Sequence, residues 1–250
     1  MLTTQRRALI SQRLSRDGEI VAKRLADELG LSEDTIRRDL REMAAEGLLK
    51  RVHGGALPLV PPLPNFAARQ EIAGDVKRRL GRKAAAMIGV GQTIFLDGGT
   101  SNAEIARALP REMRVTVVTH SPTIAAELER HEAEVILIGG RLYKHSMVAT
   151  GAAALAAIAG IRVDLFFLGV TAIHPAHGVS TGDYEEAAVK RAILKQAADT
   201  YVLATAEKFG AVSPHHVAGI GDLAGFIVPE EIKDAMLAPY DDAGVTIVRA

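Results

Sequence analysis

The sequence contains no cysteine. This absence excludes disulfide bonds, zinc sites with cysteine ligands and thiol catalysis, and it fits a reducing compartment such as the cytoplasm. The sequence also lacks a run of 18 apolar residues, so we expect no transmembrane helix. Its first residues, MLTTQRRALISQRL, lack the apolar stretch of a signal peptide. We therefore expect a cytoplasmic protein with no membrane partner.

Net charge carries little information, because 30 Lys and Arg residues balance 30 Asp and Glu residues. The 250 residues, 48% of them hydrophobic, suffice for one large domain or two unequal ones. Four prolines fall in the stretch PLVPPLP, and proline favours extended backbone; they are Pro58, Pro61, Pro62 and Pro64. We predict an N-terminal domain at residues 3–58, a semi-rigid linker at 59–74 and a larger domain at 75–250.

The N-terminal domain shows the pattern of three helices followed by a β-hairpin. Helical spacing predicts one helix from about Thr4 to Ser15 and a second from Val21 to Leu29. Gly30 ends the second helix, and Ser32 is a good N-cap for the third, whose apolar residues recur at helical spacing. The segments LLKRV and GGALP then predict two short strands around an HGG turn, which together form a small wing.

The third helix carries basic residues away from its apolar face. One interpretation is that Glu33–Arg37 and Asp34–Arg38 are ordinary ion pairs on a solvated helix. The other is a helix-turn-helix, because a major groove about 12 Å wide accepts one helix and the arginine fork matches guanine edges and phosphates. The wing would reach the neighbouring DNA backbone. The candidate DNA-binding residues are Ser32, Thr35, Arg37, Arg38, Arg41, Lys50, Arg51 and His53.

A family resemblance favours the second interpretation. The stretch LADELGLSEDTIRRDLREMAAEGLLKRVHGGA resembles the DeoR family of bacterial transcription regulators, whose winged helix-turn-helix has a TIRRDL recognition helix and an HGGA wing. The resemblance covers about residues 6–56. It implies that Thr35, Arg37 and Arg38 face DNA. It also implies that Asp39 supports an arginine, since a carboxylate facing phosphates would be repelled.

The larger domain alternates between two patterns. A helix is predicted at 75–88, and five short strands follow, TIFLD, VTVVT, EVILIGG, VDLFFLG and TYVLAT. Helices are predicted between most of them, at 103–109, 123–129, 151–159 and 184–197. This alternation predicts an α/β domain with a largely parallel sheet. Ligands bind such sheets at the carboxyl ends of their strands.

Gly, Thr and Ser residues follow several predicted strands. After the first strand, DGGTS offers turning amides, hydroxyls and a helix N-terminus, as in a phosphate-binding loop, although a tight turn explains it equally well. Together these strand ends predict a pocket for a small phosphorylated polyol, with Lys208 or Arg141 as the countercharge. The candidate effector-binding residues are Asp97, Gly98, Gly99, Thr100, Ser101, Thr119, His120, Ser121, Gly139, Gly140, Asp183, Glu185 and Lys208.

From about Lys77 to Val228 the chain resembles the DeoR sensor domain, which is similar in fold to ribose-phosphate isomerases, glucosamine-phosphate deaminases and CoA transferases. The resemblance implies a phosphorylated sugar or a related metabolite as effector. The chain departs from the family pattern in having His120 where Asn is common and Thr100-Ser101 in place of GTT. It also has ATAEKFG in place of a D-S-S-K-F-G motif. These departures bear on which effector binds.

Two alternatives stay open from the residues. A sugar-phosphate isomerase or deaminase with an accessory DNA-binding module would need a general base, and Asp183 and Glu185 are candidates. Glu186 is better explained as a solvated acid in the first turn of a helix. A constitutive architectural DNA-binding protein with a vestigial pocket is the third reading.

Histidines give no recognisable metal motif. His174 and His177, and the adjacent His215 and His216, are assigned to surface loops, because no HExxH pattern or cysteine accompanies them. His120, at a strand end, lines either the pocket or a packed loop. We predict no metal site and no cofactor.

The function predicted from the sequence is a non-enzymatic transcriptional regulator. We expect it to repress a carbohydrate-metabolism operon, to bind double-stranded operator DNA and to respond to a phosphorylated sugar. Since one winged domain gives modest specificity, we expect a homo-oligomer, dimer or tetramer, that reads paired half-sites.

Overall fold

The computed structural model describes residues 2–59 and 64–250. Two of the predicted linker prolines, Pro61 and Pro62, lie outside the described residues. Within the described ranges no helix is both long enough and apolar enough to span a bilayer.

The N-terminal unit is a three-helix domain with a small antiparallel sheet. Its elements are α1 (Thr3–Asp17), β1 (Ile20–Val21), α2 (Ala22–Leu29), α3 (Glu33–Ala45), β2 (Lys50–Val52) and β3 (Gly55–Leu57). The strands lie in the order β1-β3-β2. Leu25, Ile36, Leu40 and Met43 belong to a core of its own. The predicted helices and wing are confirmed, whereas two-residue β1 is too short to show a strand period.

Glycines shape the turns of this unit. Gly30, with φ 62°, ends α2 in the left-handed conformation, which glycine adopts without steric cost. Gly54 at the wing turn has φ 82°. At Gly55 a Cβ atom would lie 1.7 Å from the carbonyl oxygen of Ile20, so only glycine lets β1 and β3 approach this closely.

The predicted linker contains a short helix, α4 (Phe66–Gln70). Asn65 caps it by accepting a hydrogen bond of 3.0 Å from the N–H of Ala68. Phe66 is buried, and its N–H donates to the carbonyl oxygen of His145 over 2.9 Å. The end of the linker is therefore packed on the larger domain and is not simply extended.

The larger domain begins with α5 (Gly74–Ala85) and then alternates strands and helices. The remaining elements are β4 (Thr93–Leu96), α6 (Thr100–Ala108), β5 (Thr116–Thr119), α7 (Pro122–Glu127), β6 (Glu134–Leu137), β7 (Arg141–Tyr143), β8 (Val148–Thr150), α8 (Ala152–Ala159), β9 (Val163–Leu168), β10 (Ala172–His174), β11 (Gly178–Thr181), α9 (Tyr184–Leu194), β12 (Ala197–Leu203), β13 (His215–Ala218), β14 (Gly225–Val228), α10 (Asp234–Asp241) and β15 (Thr246–Arg249).

Seven strands form a parallel sheet in the order β15-β14-β12-β9-β4-β5-β6. All five predicted strands are in it, so the expected parallel sheet is confirmed. The helix predicted at 184–197 ends earlier, because Ala197 pairs with Val163 in the sheet. This pairing overrides the helical preference of alanine.

The strand order reverses between β4 and β9. From β4 the chain proceeds outward to β5 and β6, and from β9 it proceeds in the opposite direction to β12, β14 and β15. Apolar side chains cover both faces, with Phe95 and Phe166 on one and Ile94 and Phe167 on the other. In parallel sheets a crevice opens at such a reversal, beyond the carboxyl ends of the strands.

Candidate functional site

The recognition helix α3 begins at the predicted cap. The hydroxyl oxygen of Ser32 accepts a hydrogen bond of 3.2 Å from the N–H of Thr35, and it lies 2.9 Å from the hydroxyl of Thr35. Glu33 and Asp34 occupy the first turn, where negative charge interacts favourably with the positive end of the helix dipole. The cap fixes the start of the helix that carries the predicted DNA-binding arginines.

The arginines of α3 differ in their partners. Arg37, Arg38 and Arg41 are all exposed. Arg37 pairs with Glu33 over 2.7 Å. Within the described residues Arg38 and Arg41 form no ion pair, and the pair expected between Asp34 and Arg38 is not formed. These two guanidinium groups are therefore available to an external anion.

Asp39 is buried and accepts two hydrogen bonds from Arg6 of α1, through Nε and, at 2.9 Å, through Nη2. The expectation that Asp39 supports an arginine is confirmed. That arginine belongs to α1, however, and not to the exposed face of α3. The pair joins the first and third helices of the unit.

Helix α3 and the wing meet at a shallow groove of about 120 Å³, whose lining includes Arg37, Arg51 and His53. Lys50 precedes Arg51 in β2, so the two side chains point to opposite faces of the strand. The structure therefore brings three of the predicted DNA-binding side chains around one groove. Lys50, which is half-buried, points to the other face.

A second, larger cavity of about 450 Å³ lies at the carboxyl ends of β4, β9 and β12, at the reversal of strand order. Its lining draws on the predicted loop, on the ends of β9 and β12, on the start of α9 and on α4 and α5. The lining includes Leu59, Arg69, Lys77, Gly98, Gly99, Thr100, Ser101, Tyr143, Gly169, Thr171, Thr181, Asp183, Glu186, Lys190, Thr205, Lys208, Ser213 and Pro214.

Asp97 lies beneath the floor of this cavity and is completely buried. One carboxylate oxygen accepts from the N–H of Gly98 (2.8 Å) and lies 2.7 Å from Nε2 of His120. The other accepts from the N–H of Gly169 (2.8 Å) and from the ammonium of Lys190 (2.5 Å). Burial alone would raise the pKa of Asp97, but the charge of Lys190 and the hydrogen bond to His120 outweigh it and lower the pKa to about 2.

The structure brings only part of the predicted effector set to the cavity. Gly98, Gly99, Thr100, Ser101, Asp183 and Lys208 line it. Asp97 does not line the cavity, because it is buried beneath the floor. Its carboxylate oxygens are occupied by hydrogen bonds within the protein. Glu185 and the exposed Arg141 are also outside the lining.

The strand end after β5 is closed off from the cavity. His120 is fully buried, and its Nδ1 donates to the carbonyl oxygen of Ala149 over 2.9 Å. Thr119 donates to the carbonyl of Leu96 (2.7 Å) and Ser121 to that of Met147 (3.0 Å). The chain around β8 therefore covers this end, and the interpretation of His120 as a pocket-lining residue is corrected.

Gly139 and Gly140 are also outside the lining of the cavity. A Cβ atom at Gly140 would lie 2.6 Å from the carbonyl oxygen of Thr150. The glycine therefore permits the close approach of β8. Gly139 and Gly140 follow a strand, as predicted, but this position does not bring them to the cavity.

Several lining residues were not predicted from the sequence. Glu186 was assigned to a solvated helix start, but it is buried and lies 3.2 Å from the ammonium of Lys190. Its spacing of four from Lys190 was the available signal, and it also fits a surface pair. Arg69 and Lys77 come from the linker helix and from α5, and no local motif marks them.

Cationic groups surround the start of α6. Burial lowers the pKa of Lys208, and the charge of Glu207 opposes this effect. The charges of Lys77, Arg69 and Lys190 lower the pKa as well, and the net value is about 8. Burial likewise lowers the pKa of Arg69 and of Lys77. In the part of the chain that the structure describes, Arg69, Lys77 and Lys208 form no ion pair. The hydroxyls of Thr100 and Ser101 likewise form no hydrogen bond there.

His177 lies in an exposed turn, as expected, but the other three histidines of these pairs lie in strands. His174 is the last residue of β10 and is buried. Its ring lies 4.8 Å from that of His177. Burial lowers the pKa of His174. His215 and His216 lie in β13. Among the described residues no group of three or more His, Asp or Glu residues could hold a metal ion.

Comparison with known proteins gives matches over both parts of the chain. Residues 6–59 match the DeoR-like helix-turn-helix domain and residues 73–230 match the DeoR C terminal sensor domain. The HTH-type transcriptional regulator GlpR of Haloferax volcanii is 32% identical over 250 residues, which cover 99% of this chain and 98% of that protein. The glycerol-3-phosphate regulon repressor of Escherichia coli K12 is 32% identical over 212 residues, 84% of each chain.

Similarity to solved structures is weaker. Ribose 5-phosphate isomerase A of Methanocaldococcus jannaschii matches 54% of this chain and 54% of its own, at 16% identity and a TM-score of 0.41.

Proposed function

Because the chain belongs to the DeoR family of transcriptional regulators, we propose that it represses an operon of carbohydrate metabolism through its winged domain and is controlled by a phosphorylated ligand in its cavity. The relatives from Haloferax volcanii and Escherichia coli are named as a transcriptional regulator and a repressor and not as enzymes. We place its action in the cytoplasm.

The observation that carries DNA binding is the exposed basic face of α3 beside the wing. Among the described residues Arg38 and Arg41 have no ion-pair partner, and Arg37 and Arg51 both line the groove between the helix and the wing. A recognition helix in the major groove would place such guanidinium groups against base edges and phosphates. The roles of the eight predicted DNA-binding residues are part of this proposal.

The cavity suits a small phosphorylated polyol in size and in charge. Its volume of about 450 Å³ is within the range of sites for small molecules. A phosphate at the N-terminus of α6 would meet backbone amides, the hydroxyls of Thr100 and Ser101, and the cations Lys77 and Lys208, which form no ion pair among the described residues. Asp183, which also lines the cavity, would accept hydrogen bonds from ligand hydroxyls.

Each predicted part of the chain has its own proposed function. We assign DNA binding to residues 3–58, connection to 59–74, and ligand binding and oligomerisation to 75–250. Strand β6 supports self-association, because it is an edge of the sheet, where backbone groups lack a neighbouring strand. Its side chains Ile136 and Leu137 are 39% and 50% exposed. Sedimentation equilibrium of the parent and of Leu137→Arg tests this: a parent that sediments as a monomer would contradict it.

The proposed function is tested in two steps. A duplex is first selected from a random library by the purified protein, and its affinity is measured by fluorescence anisotropy. The measurement is repeated with glycerol 3-phosphate, ribose 5-phosphate and fructose 1-phosphate, with inorganic phosphate and the unphosphorylated polyols as controls. We expect a specific duplex whose affinity changes with at least one phosphorylated compound. Failure to select any duplex would reject DNA binding, and equal affinities throughout would reject control by these ligands.

A further inference from the structure

The exit of the wing is attached to the larger domain by a short piece of β-structure. Leu59 and Val212 form an isolated parallel bridge, and the N–H of Val212 donates to the carbonyl oxygen of Pro58 over 3.4 Å. We refer to Pro58, Leu59 and Val212 as the junction. It is a direct contact between the DNA-binding unit and the sensor domain.

On one side the junction is continuous with the wing. Pro58 directly follows β3, whose three residues are all buried, and Leu57 is only 1% exposed. β3 pairs with β2, where Ala56 lies opposite Arg51. Since packed interiors do not deform freely, a displacement of the junction moves the strand that positions Arg51.

On its other side the junction is continuous with the cavity. Leu59 lines the cavity, and so do Ser213 and Pro214, which directly follow Val212. The N–H of Ser213 donates to the hydroxyl of Ser180 over 2.8 Å, and its hydroxyl lies 2.5 Å from that of Thr171, another lining residue. A ligand on this wall therefore touches both chain segments that form the junction.

We propose that the junction transmits occupancy of the cavity to the wing, so that the ligand changes DNA affinity by favouring one arrangement of Pro58 and Leu59 against Val212. This inference rests on the proposed function. A hydrogen bond of 3.4 Å is longer than the usual range, so the junction can rearrange without breaking a strong contact. A ligand that prefers one arrangement changes DNA affinity by the same factor by which DNA changes ligand affinity, typically about 5- to 150-fold.

The test locks the junction with a disulfide. Leu59→Cys combined with Val212→Cys places two thiols on bridge partners. Such partners lie about 4.8 Å apart, within the separation of about 4.4–6.8 Å that a disulfide spans. Because the natural chain has no cysteine, oxidation gives one defined bond. The full-length protein is assayed oxidised and reduced against the selected duplex. The ligand is whichever of glycerol 3-phosphate, ribose 5-phosphate and fructose 1-phosphate binds the parent most tightly.

We expect the ligand to change the dissociation constant for the duplex in the reduced protein. In the oxidised protein the dissociation constants measured with and without ligand should be about equal. The matched control is Thr116→Cys with Glu134→Cys, because these residues are partners at the amino ends of β5 and β6, away from the cavity. Its oxidation should leave the ligand effect unchanged. An oxidised junction with the full ligand effect would overturn the inference.

A second variant covers the case in which the locked protein no longer binds ligand. Pro58→Gly loosens the backbone at the junction, and Pro58 is not in the cavity lining. We expect ligand affinity, measured by calorimetry, to match the parent, while the ligand effect on duplex affinity is reduced. A parent-like ligand effect would again reject the inference. A parent protein without any ligand effect would instead reject the proposed function.

Discussion

Arg6 of α1 and Asp39 of α3 form a buried ion pair across the winged domain, with side chains only 5% and 1% exposed. They lie 33 positions apart in the chain. Arg6 stabilises the recognition helix from behind, while the arginines on its outer face stay available for DNA.

Replacing Arg6 tests this support. Arg6→Ala leaves the carboxylate of Asp39 buried without its partner, and breaking a buried pair in this way costs about 3–5 kcal/mol. We expect faster hydrogen exchange throughout the α3 amides of the full-length protein. The control is Arg7→Ala, which removes a pair with the half-exposed Glu46 and should change stability by less than about 1 kcal/mol. Equal exchange in both variants would contradict the assignment.

Arg38→Ala tests the DNA-facing surface. Arg38 is exposed and has no ion pair within the described residues, so its loss should leave folding intact. If it reaches a base edge, duplex affinity should fall by about 1–3 kcal/mol, or roughly 5- to 150-fold. Arg114→Ala is the matched control, since Arg114 is 83% exposed on the sensor domain. Parent-like anisotropy titrations for Arg38→Ala would show that the groove assignment is wrong.

Thr100→Val tests the proposed phosphate site. The substitution keeps the branched shape and removes one free hydroxyl at the start of α6. A hydrogen bond to a charged group contributes about 1.5–3 kcal/mol, so ligand affinity should fall roughly 10- to 150-fold while duplex affinity without ligand is unchanged. Thr93→Val, at the amino end of β4, should have no effect on either. Calorimetry that gives the same ligand affinity for both variants would remove Thr100 from the site.

We expect Lys208 to make ligand binding dependent on pH. Its pKa of about 8 in the free protein means that its charge is lost as pH rises through that value. A bound phosphate dianion favours the charged amine, so ligand affinity should be full near pH 7 and decline above pH 8, by up to about tenfold per pH unit. Lys208→Arg should bind with little change over this range, because arginine stays protonated. Identical pH profiles for parent and variant in calorimetry would exclude this role.

The sequence predicted those parts of the structure that local patterns determine. Apolar spacing and the Ser32 cap placed α3, and β-branched runs placed the parallel strands. It did not predict which strand ends meet. His120 follows β5, one strand away from the reversal of strand order, and the chain around β8 covers it. The local sequence around His120 does not indicate that β8 packs against it.

The missed cations have a different cause. Lys190 lies 93 residues from the carboxylate of Asp97 that it contacts, and its spacing from Glu186 resembles a solvent-exposed pair. Arg69 enters the cavity lining through a helix that the proline-rich linker did not indicate. Long-range packing brings these groups together, and single-sequence patterns report mainly on neighbours along the chain.

The hydrogen bonds of Asp97 beneath the cavity also determine which domain can fold first during translation. Asp97 needs the N–H of Gly169, 72 residues later, whereas the winged domain has a core of its own. Domains generally fold as units as they leave the ribosome, and translation proceeds at roughly 5–20 residues per second. The winged domain of a nascent chain is therefore complete on the order of ten seconds before the sensor domain. During this interval a new molecule can bind DNA but cannot yet respond to a ligand.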